Sequence, residues 1–134
     1  MQSLRILIAD DSESFRSSLR AFLESVPGWT VCGEAGDGHV AVAKALALRP
    51  DIVVLDISMP TMNGIEAAKV IHQQVPSAEL LVISQHRFRG VGEAAQKAGA
   101  RGYVDKSKLS QELIPAIKAA GMRRSAHGPA CPTG

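Results

Sequence analysis

The sequence predicts an α/β sandwich, a five-stranded parallel sheet covered by helices on both faces, and three observations carry that prediction. Short apolar runs, several without polar alternation, recur at Leu4 to Ala9, Thr30 to Ala35, Ile52 to Leu55, Leu80 to Ile83 and, minimally, Gly102 to Val104; such runs suit strands buried on both faces. Segments with apolar residues at helical spacing separate them, at about twenty to thirty residues per unit, the period of right-handed βα crossovers. The 134 residues are 46% hydrophobic and 21% charged, enough for one packed core and too few for a second domain.

The first strand, Leu4 to Ala9, runs directly into two acids, Asp10 and Asp11. From Ser12 a helix follows, with Phe15, Leu19, Phe22, Leu23 and Val26 on one stripe and Arg16 and Arg20 off it. Pro27-Gly28 stops it. After the second strand, Gly36-Asp37-Gly38 turns the chain into an Ala-rich helix, His39 to Leu48, which Arg49-Pro50 ends. The third strand closes on Asp56, and Pro60, Asn63 and Gly64 punctuate the loop beyond it. Ile65, Ala68, Ile71 or His72, and Val75 then line one face of a third helix that ends at Pro76.

The fourth strand ends on a hydroxyl, Ser84, and a basic loop carries His86, Arg87, Phe88 and Arg89. Val91, Ala94, Ala95 and Ala98 mark a small helix, and Asp105 and Lys106 stand just past the fifth strand. Ser110 is the expected cap of the last helix, whose inner face is Leu113, Ile117 and Ala120. Pro115 removes a backbone donor, which predicts an irregular start. Gly121 to Gly134 lacks periodicity, so residues 1–120 are expected to be the domain and residues 121–134 a flexible tail or linker.

Composition excludes several classes. Fifteen basic against thirteen acidic residues, a formal charge of +2, do not demand nucleic acid or membrane as a partner. Cys32 and Cys131 stand too far apart for a metal motif or a disulfide framework and are expected to be free thiols. No run approaches membrane-spanning length, and the first apolar run is too short for a secretory signal. A cytoplasmic location is the expectation.

If the strands are parallel, Asp10, Asp11, Asp56, Ser84 and Lys106 converge on one rim, where open α/β sheets place their reactive crevice. Two carboxylates about 4 Å apart repel by roughly 4 kcal/mol at an effective dielectric near 20, so the cluster requires cations. Lys106 supplies one, and a set rich in oxygen without sulfur or histidine suits Mg²⁺ better than zinc. A carboxylate beside Mg²⁺, with an ammonium and a hydroxyl nearby, is equipped to attack phosphorus and form an aspartyl phosphate. Each residue alone has an ordinary structural use: Ser84 can merely end a strand, Lys106 can be solvated, and Asp10 can cap a helix. Four strand ends with compatible chemistry favour the functional reading.

Asp10-Asp11, Asp56 with Met59-Pro60 and Asn63-Gly64, Ser84 and Lys106 resemble the set that defines receiver domains of bacterial two-component response regulators, over residues 4 to 120. The stretches from Asp56 to Ala67 and from Gly102 to Ser107 are most similar to receivers that precede a LuxR-type helix-turn-helix domain. The resemblance implies a flavodoxin-like strand order 2-1-3-4-5, which periodicity alone leaves open. It also implies phosphorylation of Asp56 by a sensor histidine kinase. Mg²⁺ would sit on Asp11, Asp56 and the Ser58 backbone carbonyl, with Asp10 helping through water. Ser84 and Tyr103 would be the switch pair that remodels the face of helix four, strand five and helix five, the face through which a homodimer would form.

Departures from the pattern are the basic loop and Ser107, where many receivers have proline, so the geometry of the Lys106–Ser107 peptide stays open. His86, two residues past Ser84, is placed to tune dephosphorylation; His39 and His72 read as helix-surface residues and His127 as part of the tail. The last fourteen residues are too few for a DNA-reading element, so the chain itself is not expected to bind nucleic acid. Met1 reads as a native start, which tips the expectation toward a single-domain regulator over a chain cut before its output domain. Two other functions compete. A phosphohydrolase of the haloacid dehalogenase type would need an acid where Ser58 stands, and the intact acidic set argues against an unphosphorylated interaction module.

Overall fold

The structure, a computed structural model, describes residues 3–85 and 89–127. Five strands, β1 (Leu4–Ala9), β2 (Trp29–Ala35), β3 (Ile52–Asp56), β4 (Glu79–Ser84) and β5 (Gly102–Asp105), alternate with helices α1 (Glu13–Glu24), α2 (Gly38–Leu48), α3 (Gly64–Gln74), α4 (Val91–Lys97) and α5 (Leu109–His127). All four strand pairs are parallel. The order is β2-β1-β3-β4-β5, the flavodoxin-like arrangement that the resemblance implies.

The absence of polar alternation in the strands follows from two cores. Leu7, Ala9, Val53, Leu55, Leu80 and Val82 face one layer with Ala41, Ala45, Ala67, Ala68 and Ile71. Leu4, Ile6, Ile8, Ile52, Val54, Leu81 and Ile83 face the other with Leu19, Leu23, Leu113 and Ile117. Successive strand residues point to opposite faces, so a strand covered on both must be apolar at every position. Ile71 takes the core position on α3, and His72 is exposed.

At the β2 edge the pairing skips Cys32, a half-buried free thiol, between Val31 and Gly33. The outward backbone of Val31 is occupied by α1 side chains: Val31 N–H donates to Glu24 (2.9 Å) and Arg20 donates to Val31 C=O (3.1 Å). Filling those groups blunts an edge that could otherwise pair with another chain.

Helix starts are fixed just beyond the strand ends. Ser12 accepts from Phe15 N–H, Asp37 from Val40 N–H, and Asn63 forms a reciprocal capping box with Glu66. The last helix differs from expectation at both ends. Ser110 is not its cap; instead Asp105 caps a single 3-10 turn, Lys106–Lys108, that leads into it, accepting from Ser107 N–H at 2.9 Å and Ser107 Oγ at 2.8 Å. Ser110 lies inside the first turn of α5. The helix passes through Pro115, with Leu113 and Ile117 buried on either side of it, and packing there outweighs one lost donor. It also runs through Gly121 to His127, because extending an already packed helix costs far less than nucleating one. Every described peptide bond is trans, including Lys106–Ser107.

Gly64 packs so closely on the strand before it that a Cβ there would lie 2.3 Å from the Asp56 carbonyl oxygen, whereas a Cβ at Gly92 in α4 would meet nothing within 4 Å. Gly64→Ala should therefore lower unfolding stability by about 1–3 kcal/mol. Gly92→Ala should raise it by roughly 0.5–1 kcal/mol. Denaturant midpoints of the two variants check the contrast.

Candidate functional site

The register aligns the carboxyl ends of the central strands: Ala9 pairs with Leu55, Asp56 with Ile83, and Ser84 with Asp105. Residues at or just past those ends share one rim. Asp10 is 1% exposed and Asp56 3%, while Asp11 faces solvent. One carboxylate oxygen from each of the three lies within 4.8 Å of the others.

Lys106 answers part of this charge. Its Nζ donates to Asp10 Oδ2 at 2.7 Å and stands 3.6 Å from Asp56 Oδ2. Asp10 Oδ1 accepts from Ser12 N–H at 2.8 Å. Asp56 Oδ1 is buried without a hydrogen-bond partner among the described residues. Burial first, and the Asp10 charge second, push the Asp56 carboxyl up to about 6, against the pull of Lys106 and the Ser58 backbone N–H. One ammonium cannot neutralise three carboxylates, and the orphaned Oδ1 marks where the deficit is sharpest. Oxygen-only donors at this spacing fit a hard divalent cation.

The loop after β3 is held by its own backbone. Ile57 N–H donates to Ile83 C=O, Gly64 N–H to Ile57 C=O, Met59 N–H to Ile57 C=O and Met62 N–H to Pro60 C=O. Thr61 sits at φ 61°, a left-handed turn position. Gly38 at the start of α2 backs onto Met62, whose carbonyl oxygen would lie 2.2 Å from a Cβ there. This frame leaves Ser58 exposed and its backbone available beside Asp56.

Ser84 is buried at the end of β4, one position past the pairing partner of Asp56. Tyr103 pairs with Val82, and since Val82 and Ser84 project to the same side of the sheet, Ser84 and Tyr103 share a face. Tyr103 is half-buried against the core that contains Val82. His86 lies outside the described residues.

Two residues escaped the sequence reading. Arg16, placed off the apolar stripe, donates to Asp10 C=O at 2.6 Å and to Glu34 Oε1 at 3.0 Å, bracing the acidic turn against β2. Phe15, read as a core residue, lies with its ring centroid 4.1 Å from Lys106 Nζ. The available signal was position: both fall in the first turn of α1, immediately after the acids.

A family model described as response regulator receiver domain matches residues 6–118. The chain is a response regulator receiver domain. This receiver is 38% identical over 122 residues to the uncharacterized transcriptional regulatory protein YxjL of Bacillus subtilis, covering 87% of this chain and 54% of the relative. It is 37% identical over 117 residues to the transcriptional regulatory protein LiaR of the same organism, covering 87% and 56%. It is also 38% identical over 113 residues to the chemotaxis protein CheY of Thermotoga maritima, covering 84% and 93%. Among solved structures, a LuxR-family two-component response regulator from Aurantimonas sp. SI85-9A1 superposes with a TM-score of 0.86 at 37% identity, covering 91% of this chain and 87% of that one. The receiver thus spans about half the length of the two Bacillus regulators and nearly all of the chemotaxis protein. No helix among the described residues is long and apolar enough to cross a membrane.

The raised Asp56 carboxyl links stability to pH. Its proton is held up to about pH 6 in the folded chain but leaves near 4 when unfolded, so this group favours folding at low pH and that benefit is lost as pH rises through 6. In EDTA at pH 7.5, Asp56→Asn should be more stable than the parent by about 2 kcal/mol. The gain should shrink toward pH 4; thermal melts at both pH values measure it.

Proposed function

We propose that this receiver accepts a phosphoryl group on Asp56 from the phosphohistidine of a sensor kinase, and that Mg²⁺ is required. The observation that carries the reading is the buried Asp56 carboxylate, with one oxygen unpartnered and the other 3.6 Å from the Lys106 ammonium. Asp56 is the nucleophile: a carboxylate oxygen bonds to phosphorus as the phosphorus–nitrogen bond to the donor imidazole breaks, and the imidazole leaves with the electron pair. With a carboxyl that titrates near 6, Asp56 is mostly ionised at neutral pH, ready to attack.

Lys106 neutralises charge on the phosphoryl oxygens, and the Ser84 hydroxyl donates to one of them. Held by Asp11, Asp56 and the Ser58 carbonyl, with Asp10 behind them, Mg²⁺ would supply further charge neutralisation at the same oxygens. Ser84 moving toward the new group vacates space on the face it shares with Tyr103, and inward rotation of Tyr103 changes the surface of α4, β5 and α5. That face carries the signal to a partner, to a second copy of the chain, or to a DNA-binding output of the kind implied by the relatives' names as transcriptional regulators. The receiver unit is residues 1–120 with its last helix continuing to His127, acting in the cytoplasm. Ser58, standing where an aspartyl phosphohydrolase would carry its second acid, argues for a phosphoprotein over a turnover enzyme. His86 is a candidate for setting the lifetime of the phosphoryl group.

Incubation with Mg²⁺ and acetyl phosphate should add one acid-stable, base-labile phosphoryl group, read by intact mass. Asp56→Asn should take none, and Lys106→Ala should be slower by roughly 100-fold, as for loss of one preorganised charge-stabilising donor. Full labelling of Asp56→Asn would overturn the assignment.

A further inference from the structure

We propose that Phe15 is a positioning residue for Lys106, its ring face holding the ammonium at the carboxylate pair. A lysine stem is flexible, and its ammonium is a strongly hydrated point charge that must be held to act at one place. Beside it lies an open cleft of about 420 Å³ lined by Phe15, Gln85, Lys106 and Ser107. The ammonium therefore has somewhere else to go.

Three contacts oppose that escape: Asp10 at 2.7 Å, Asp56 at 3.6 Å, and the Phe15 ring at 4.1 Å to its centroid. The contacts close a circuit. Asp10 Oδ1 accepts from Ser12 N–H, Ser12 Oγ accepts from Phe15 N–H, the Phe15 ring faces Lys106 Nζ, and Lys106 Nζ donates to Asp10 Oδ2. Phe15 is half-buried against the core layer that α1 and α5 share, so the ring is fixed independently of the charges.

The ring does something neither carboxylate can. Its attraction for a cation comes from its quadrupole and takes up no N–H donor, so all three donors stay available to oxygens. It is also indifferent to the state of the acids. Phosphorylation of Asp56 makes an acyl phosphate and moves the negative charge onto the phosphoryl oxygens, and a bound cation competes for Asp10, whereas the ring's quadrupole is altered by neither.

The inference rests on the role proposed for Lys106 in phosphoryl transfer, and the test separates the two. Phe15→Leu keeps an apolar side chain and removes the face; Phe15→Tyr keeps the face. In the full chain without metal or phosphodonor, the Lys106 ε-methylene protons should be shifted upfield by the ring, retained in Phe15→Tyr and lost in Phe15→Leu, with thermal melts confirming that both fold. With acetyl phosphate and Mg²⁺, and no kinase whose docking could intervene, Phe15→Leu should be phosphorylated about three- to tenfold more slowly, the range expected for a partly desolvated cation–π contact. Phe15→Tyr should stay within about twofold, and Phe15→Leu should cost nothing further in a Lys106→Ala background. Equal loss in Leu and Tyr variants, an unshifted lysine resonance in the parent, or an undiminished Leu effect in Lys106→Ala would overturn the proposal. If the parent takes no phosphoryl group at all, the function reading fails, while the resonance still decides the contact.

Discussion

Two buried carboxylates on adjacent strands share one ammonium, and the rest of the molecule is arranged to tolerate that imbalance. Asp10 and Asp56 have almost no solvent contact, and Lys106 satisfies the first better than the second. Burying charge without full compensation opposes folding. What offsets it is apolar burial on both sides of the sheet: Ile6, Leu7, Ile8, Ile52, Val53, Val54 and Leu55, the residues leading to the two acids, are all fully buried. The strands that carry the unfavourable charges are thus themselves buried on both faces, which supports the acids at their ends.

Backbone packing carries the same constraint outward. The pairing of Asp56 with Ile83 and of Ser84 with Asp105 fixes the rim at main-chain level, before any side chain interacts. Gly64 lets α3 begin against the Asp56 carbonyl, and Gly38 lets α2 begin against Met62, so two helix starts clamp the loop between them. A larger residue at either position would push the loop off the strand end. The glycines are there because of close approach, at ordinary backbone angles, and not for turn flexibility.

Local signals made most of this legible. A strand that ends in an acid is readable from a few residues, and so were Asp10, Asp11, Asp56, Ser84 and Lys106 at one rim. Strand order was not, because the two common orders share the same periodicity; it came from the resemblance to receivers. The end of α5 was misread because Gly121 and the polar residues after it look like a terminus in isolation, whereas the chain meets them as an extension of a packed helix. Ser110 is no cap for a similar reason: the chain leaves β5 already turning, in a 3-10 turn capped by Asp105, and α5 has begun before Ser110 is reached. Phe15 packs on the core as read and Arg16 lies off the apolar stripe as read, but their contacts at the rim were not legible because helical periodicity reports only which side of a helix a residue occupies. It says nothing about a lysine arriving from another strand, 91 positions later in the case of Phe15.

The same geometry explains why two equally buried acids are not equivalent. Asp10 has both oxygens engaged, one by Ser12 N–H and one by Lys106, and its carbonyl is braced by Arg16. A carboxylate so held is a poor nucleophile, since attack would require breaking a charge-assisted bond. Asp56 has one oxygen distant from the ammonium by hydrogen-bond standards and one with no partner among the described residues. Its loop carries Ser58, exposed and uncharged, so position 58 offers no acid, and the acids beside Asp56 are Asp10, engaged by Lys106 and Ser12, and Asp11. Asp10 is thus suited to anchor Lys106 and to hold a cation, and Asp56 to react. The unsatisfied carboxylate that weakens the fold is the one whose chemistry the fold supports.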